Sequence, residues 1–148
     1  MAFDIDDLNS SLRGELAAID TYRKALEKSR SKYANDPKYQ QLEKMLRDHE
    51  QAATLLTSLV RQKGGEPETD SGAWGTWSKT VMGASSLFGD KAALKALKQG
   101  EESGIKQYRS LIDDTDTPAD VRDAAMKLMN NDKEHITRLD TMMETAAA

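Results

Sequence analysis

One polar pair occurs twice in this chain, at the same spacing and in the same apolar setting. Glu15 precedes His49 by 34 residues, Glu101 precedes His135 by the same 34, and the two pairs are offset by 86. The register extends around them, because Gly14, Ile19, Tyr22, Arg23 and Leu42 fall on Gly100, Ile105, Tyr108, Arg109 and Leu128. Each glutamate and each histidine stands in a run whose apolar residues recur every three or four positions, the period of a helix with one buried face. The chain therefore has to fold so that two helical hairpins, each offering a carboxylate on one helix and an imidazole on the next, close around a shared polar centre.

Four helices are predicted, over residues of about 5–31, 37–63, 91–114 and 118–144. Asp4 is placed to cap the first, whose inward stripe reads Leu8, Leu12, Glu15, Ile19, Tyr22 and Leu26. Asp36-Pro37 opens the second with a capping carboxylate and a proline at the first helical position, where its missing N–H costs nothing. Its stripe runs Leu42, Met45, His49, Ala52, Leu56 and Leu59, and Gly64-Gly65 supplies the left-handed stop. The third presents Leu94, Leu97, Glu101, Ile105, Tyr108 and Ile112. The fourth is expected to open at Thr117-Pro118, with Asp120 completing a capping box, and to turn Val121, Ala125, Leu128, Asp132, His135, Leu139 and Met142 inward.

Short turns within each half make antiparallel hairpins, whereas residues 64–90 form a crossover long enough to run the height of a bundle. Helices two and three can then point the same way. Within the crossover Trp74, Trp77, Val81 and Phe88 suggest a short amphipathic helix, which either covers one side of the core or offers a surface to a second copy or another protein. The 148 residues are read as a single all-α domain, 1–148.

Composition narrows the function. A net charge of −4 disfavours nucleic acid, since no strong basic patch is present to displace counterions from phosphates. Without cysteine there is no disulfide, thiolate chemistry or cysteine-bound zinc, a usage that suits a reducing compartment. MAFDIDDLNSS lacks the basic start and apolar run of a signal peptide, and no stretch is apolar enough to span a bilayer, so a cytoplasmic location is expected. Gly-rich phosphate loops and nucleophile motifs are missing.

The chemistry resides in the ionisable residues on the apolar stripes: Glu15, His49, Glu101, Asp132 and His135. Buried carboxylates and imidazoles must be paired, neutralised or given a cation. Asp132-x-x-His135 sets two ligands on neighbouring turns of one helix face, the spacing seen as Glu-x-x-His in carboxylate-bridged di-iron bundles. The equivalent position before His49 is Leu46, so the first half offers two ligands and the second three. Asp48 and Glu50 flank His49 but lie about 100° round the helix, and would need local distortion to reach in. Two readings stay open. One is a mononuclear or lopsided dinuclear site for iron or manganese, which suit mixed oxygen and nitrogen ligands. The other is a metal-free Glu–His network in a non-enzymatic structural or stress-related interaction protein. Tyr22 and Tyr108 are either core residues with satisfied hydroxyls or redox-active groups, and Glu102 is expected to be solvated.

GELAAIDTYRKAL resembles the Glu-then-Tyr helix of bacterioferritin and rubrerythrin-type proteins. From GGEPETDSG through QGEESGIKQYRSLI to EHITRLD the chain is more closely similar to the ferritin-like family called domain of unknown function 2383, with a weaker match in the first two helices. That resemblance implies a ferritin-like four-helix bundle and brings no established activity. Carried over from ferritin-like di-iron proteins, it implies terminal or bridging carboxylates at Glu15 and Glu101, imidazole ligands at His49 and His135, and a shortened bridging carboxylate at Asp132. Leu46 departs from that plan, which bears on oxygen activation and ferroxidase work.

Overall fold

A computed structural model describes residues 3–70 and 91–145. Among them are four helices: α1 (Ile5–Tyr33), α2 (Pro37–Gln62), α3 (Lys91–Asp113) and α4 (Ala119–Thr145). Their starts and stops follow local chemistry. Asp4 accepts a hydrogen bond from the Asp6 N–H at 2.9 Å, and Asp36 accepts one from the Lys38 N–H at 2.8 Å with Pro37 beginning the helix behind it. α2 ends in paired bonds from Gly64 N–H to the Arg61 carbonyl and from Gly65 N–H to the Val60 carbonyl, the arrangement that requires a left-handed residue. Gly64 supplies it with φ of 85°.

The opening of α4 differs from expectation. Its first helical bond runs from Arg122 N–H to the Pro118 carbonyl, one residue beyond Thr117, so the Thr117 hydroxyl is buried with no protein partner and no capping box forms. Asp120 instead accepts from the adjacent Val121 N–H at 2.9 Å and pairs with Lys63 at 3.0 Å, tying the end of α2 to the start of α4.

Two apolar layers fill the bundle, and each helix passes from one to the other. Ala18, Tyr22, Leu26, Leu42, Met45, Leu94, Leu97, Leu139 and Met142 form one; Leu8, Leu12, Leu56, Leu59, Val60, Tyr108, Leu111, Val121 and Leu128 form the other. The order of these residues along each helix gives its direction. α2 and α3 run the same way, α1 and α4 the opposite way, as a long crossover permits. The hairpin partners α1–α2 and α3–α4 pack most extensively, while α1 meets α3 and α2 meets α4 across the bundle. Ile19, Ile105 and Ile112, expected in the core, are only half-buried, and Leu111 occupies the core in place of Ile112. Inward space at those levels goes to Ala18 and to Tyr108.

Of the crossover, only its first part is described. Asn9 on α1 grips it with both ends of its amide, donating to the Glu66 carbonyl at 3.0 Å and accepting from the Glu68 N–H at 3.1 Å, and Arg13 pairs with Glu68 at 3.0 Å. Trp74, Trp77, Val81, Phe88 and the amphipathic helix expected around them lie outside the described residues. No helix among the described residues is long and apolar enough to cross a membrane.

Candidate metal centre

Between the two apolar layers every helix contributes to one polar level: Glu15 from α1, His49 from α2, Glu101 from α3, and Asp132 and His135 from α4, all buried. Each is flanked along its helix by residues of both layers. His49 bridges the halves, with Nδ1 2.6 Å from Glu15 Oε2 and Nε2 2.8 Å from Glu101 Oε1. His135 sets Nδ1 3.2 Å from the same Glu101 oxygen, and the two imidazole centroids are 5.0 Å apart.

The tyrosines cross over. Tyr22 donates its hydroxyl to Glu101 Oε1 at 2.7 Å, and Tyr108, its counterpart in the repeat, donates to Glu15 Oε1. Each half therefore supplies the donor that fixes the other half's glutamate. Burial first, and then the neighbouring carboxylates, push both phenols well above their ordinary range, so they remain O–H donors.

The charge pattern is unequal. Burial disfavours an imidazolium at His49, but Glu101 and Glu15 outweigh it and hold the ring's proton well above the usual histidine range. Burial would also raise Glu101; His49 and His135 instead hold its carboxyl well below the ordinary value. Asp132 is pushed up, first by burial and then by the carboxylates of Glu101 and Glu15. Three carboxyl groups thus share a buried space, in which Glu101 Oε2 meets none of the tyrosine or histidine donors and the raised Asp132 carboxyl is placed to hydrogen-bond Glu101.

Beside this level, a void of about 20 Å3 lies between α1 and α3, enough for one water-sized group. Gly14 and Ala18 face Gly100 and Gly104 across it, with Asp132 at its wall. A methyl group at Gly104 would stand 2.8 Å from Asp132 Oδ2, so a glycine is what lets that carboxylate occupy its place.

All five residues predicted from the sequence thus meet at one level. His49, Glu101, Asp132 and His135 can each offer one ligand atom with all four atoms within 4.8 Å of one another. Glu15 stands behind His49, both of its oxygens taken by His49 and Tyr108. Asp48 was not expected to reach in without helix distortion, yet its Oδ2 lies 2.9 Å from His135 Nε2 and α2 is continuous through it. The turn that carries Asp48 away from His49 carries it toward α4, a direction that the spacing within α2 alone cannot show. Glu50 points outward to Arg23 at 2.9 Å, and Glu102 is exposed.

These features define a four-helix bundle with a buried carboxylate and imidazole centre, and the fold is ferritin-like. The chain belongs to the family described as Domain of unknown function (DUF2383), whose model matches residues 4–114. That span includes Glu15, Asp48, His49 and Glu101, while Asp132 and His135 lie beyond it. Among solved structures, the bundle is similar to a ferritin like, diiron-carboxylate protein from Bacillus anthracis str. Ames, with 22% identity, a TM-score of 0.74 and 94% of each chain covered. At that identity the likeness is one of fold. No curated protein matches the chain.

Proposed function

We propose that this protein binds one transition-metal ion, iron or manganese, through His49, Glu101, Asp132 and His135, with Glu15 supporting His49 from behind. The observation that carries this reading is the convergence of four buried ligand atoms, two imidazole and two carboxylate, within 4.8 Å of one another. Two imidazoles and two carboxylates suit iron or manganese better than a soft metal. The diiron-carboxylate description of a structure with this fold supports the same choice. A bound ion would supply the positive charge that Glu101 Oε2 lacks and would displace the proton that Asp132 holds. His49 would give up a proton to accept it, so uptake releases protons. A second ion would have to draw Glu15 away from both His49 and Tyr108, which favours one. A cytoplasmic location belongs to the same reading, since a cysteine-free chain with these ligands suits a reducing compartment.

A second reading has its own observation: both nitrogens of His49 already meet carboxylates, so the network is serviceable without metal. Thermal melts separate the two. Under anaerobic conditions, ferrous or manganous ion at about a hundred times its dissociation constant should raise the melting point of the wild type by roughly 5–10 °C. His135→Ala should fold and lose that rise. An equal rise in both proteins, or none in the wild type, favours the metal-free network.

A further inference from the structure

The two halves of the repeat differ at one carboxylate whose placement the metal reading leaves unused. Asp48 in the first half corresponds to Glu134 in the second, each one residue before its histidine. Glu134 turns out to solvent and pairs with Arg138 at 2.9 Å. Asp48 crosses to the other hairpin, with Oδ2 2.9 Å from His135 Nε2 and 3.5 Å from Lys44 Nζ at the rim of the bundle.

Both histidines then share one arrangement. His49 turns Nε2 to Glu101 while Glu15 holds its Nδ1; His135 turns Nδ1 to Glu101 while Asp48 holds its Nε2. A carboxylate only accepts, so the nitrogen it holds must carry the hydrogen. The nitrogen facing Glu101 is then the one whose hydrogen an ion would displace, leaving its lone pair toward the group of four. We propose that Asp48 is a positioning residue of the metal centre: it fixes the Nε2–H form and the ring orientation of His135, as Glu15 fixes His49 through Nδ1. Glu101 and Asp132 are then the carboxylates left to the ion. This inference rests on the ion reading above.

The test uses the full chain, stripped of metal, with Co2+ as the probe and its visible absorption as the readout. Asp48→Ala and Glu50→Ala each remove one negative charge beside His49, but only Asp48 touches His135. Asp48→Ala should weaken Co2+ binding by roughly 10–100-fold and alter the d–d bands. Asp48→Asn, which keeps an acceptor oxygen, should recover part of the affinity, and Glu50→Ala should match the wild type in both respects. Equal weakening in the Asp48→Ala and Glu50→Ala proteins, or wild-type affinity and bands in Asp48→Ala, overturns the assignment. The His135 Nε2–H resonance of the metal-free protein, told apart by nitrogen-15 labelling from any Nδ1–H facing Glu101, gives a reading independent of Co2+. It should be present in the wild type and in Glu50→Ala and lost in Asp48→Ala; its persistence there removes the hydrogen bond on which the role depends. A wild type that takes up no Co2+ overturns the ion reading, and the positioning role with it, before any variant is compared.

Discussion

Buried His49 holds its ring proton well above the usual histidine range because Glu101 and Glu15 both face it. Its proton is held more tightly in the folded chain than in the unfolded one. The resulting stabilisation is complete below the ordinary value of 6.5 and is lost as pH rises through the elevated folded-state value. Asp132 acts in the same sense: it too binds its proton more tightly when folded, so its contribution is present below the ordinary 3.8 and lost as pH rises through the raised folded-state value. Glu101 works the other way, its contribution being present above its ordinary 4.5 and lost as pH falls. Melting points of the metal-free protein should therefore decline as pH is raised from about 6.5 toward 9. Saturating manganous ion should shrink that decline, since a cation replaces the protons. A metal-free melting point that climbs over the same interval contradicts this charge assignment. The identities of these residues were legible because a glutamate or histidine on an apolar stripe stands out. Their pairing was not, since which oxygen meets which nitrogen depends on helix rotation, and Tyr108 reaches Glu15 across 93 residues of chain.

At the scale of the helix, caps and stripes explain most of what the sequence revealed. Asp4, Asp36 and Gly64 act within a few residues of themselves, so their roles can be read locally. Thr117 failed as a cap because the first helical carbonyl is that of Pro118, and Asp120 is drawn to Lys63 on a different helix. Asp48 was misjudged for a similar reason: its partner belongs to α4. Gly64 tests the local kind of determinant. With φ at 85° and nothing within 4 Å of an added methyl group, Gly64→Ala meets only the strain of the left-handed backbone. That should cost about 1–2 kcal/mol. Urea denaturation would measure it, and an unchanged midpoint would show that the stop of α2 does not depend on this conformation.

Over the whole molecule, the repeat is realised as a pair of hairpins facing each other, with apolar layers above and below a single polar level. The direction of each helix follows from the order in which its residues enter those layers. Symmetry is kept in the crossed tyrosines and broken where Leu46 opposes Asp132 and where Asp48, but not Glu134, turns toward a histidine. Such a plan places four ligand atoms around one space, which is the basis for assigning a metal. The most direct measurement is elemental analysis of the full chain and of His135→Ala, both purified without chelators or a histidine tag. Close to one iron or manganese is expected per wild-type chain and much less in the folded variant; a wild type without metal, or a variant that retains the full amount, contradicts the proposed metal centre.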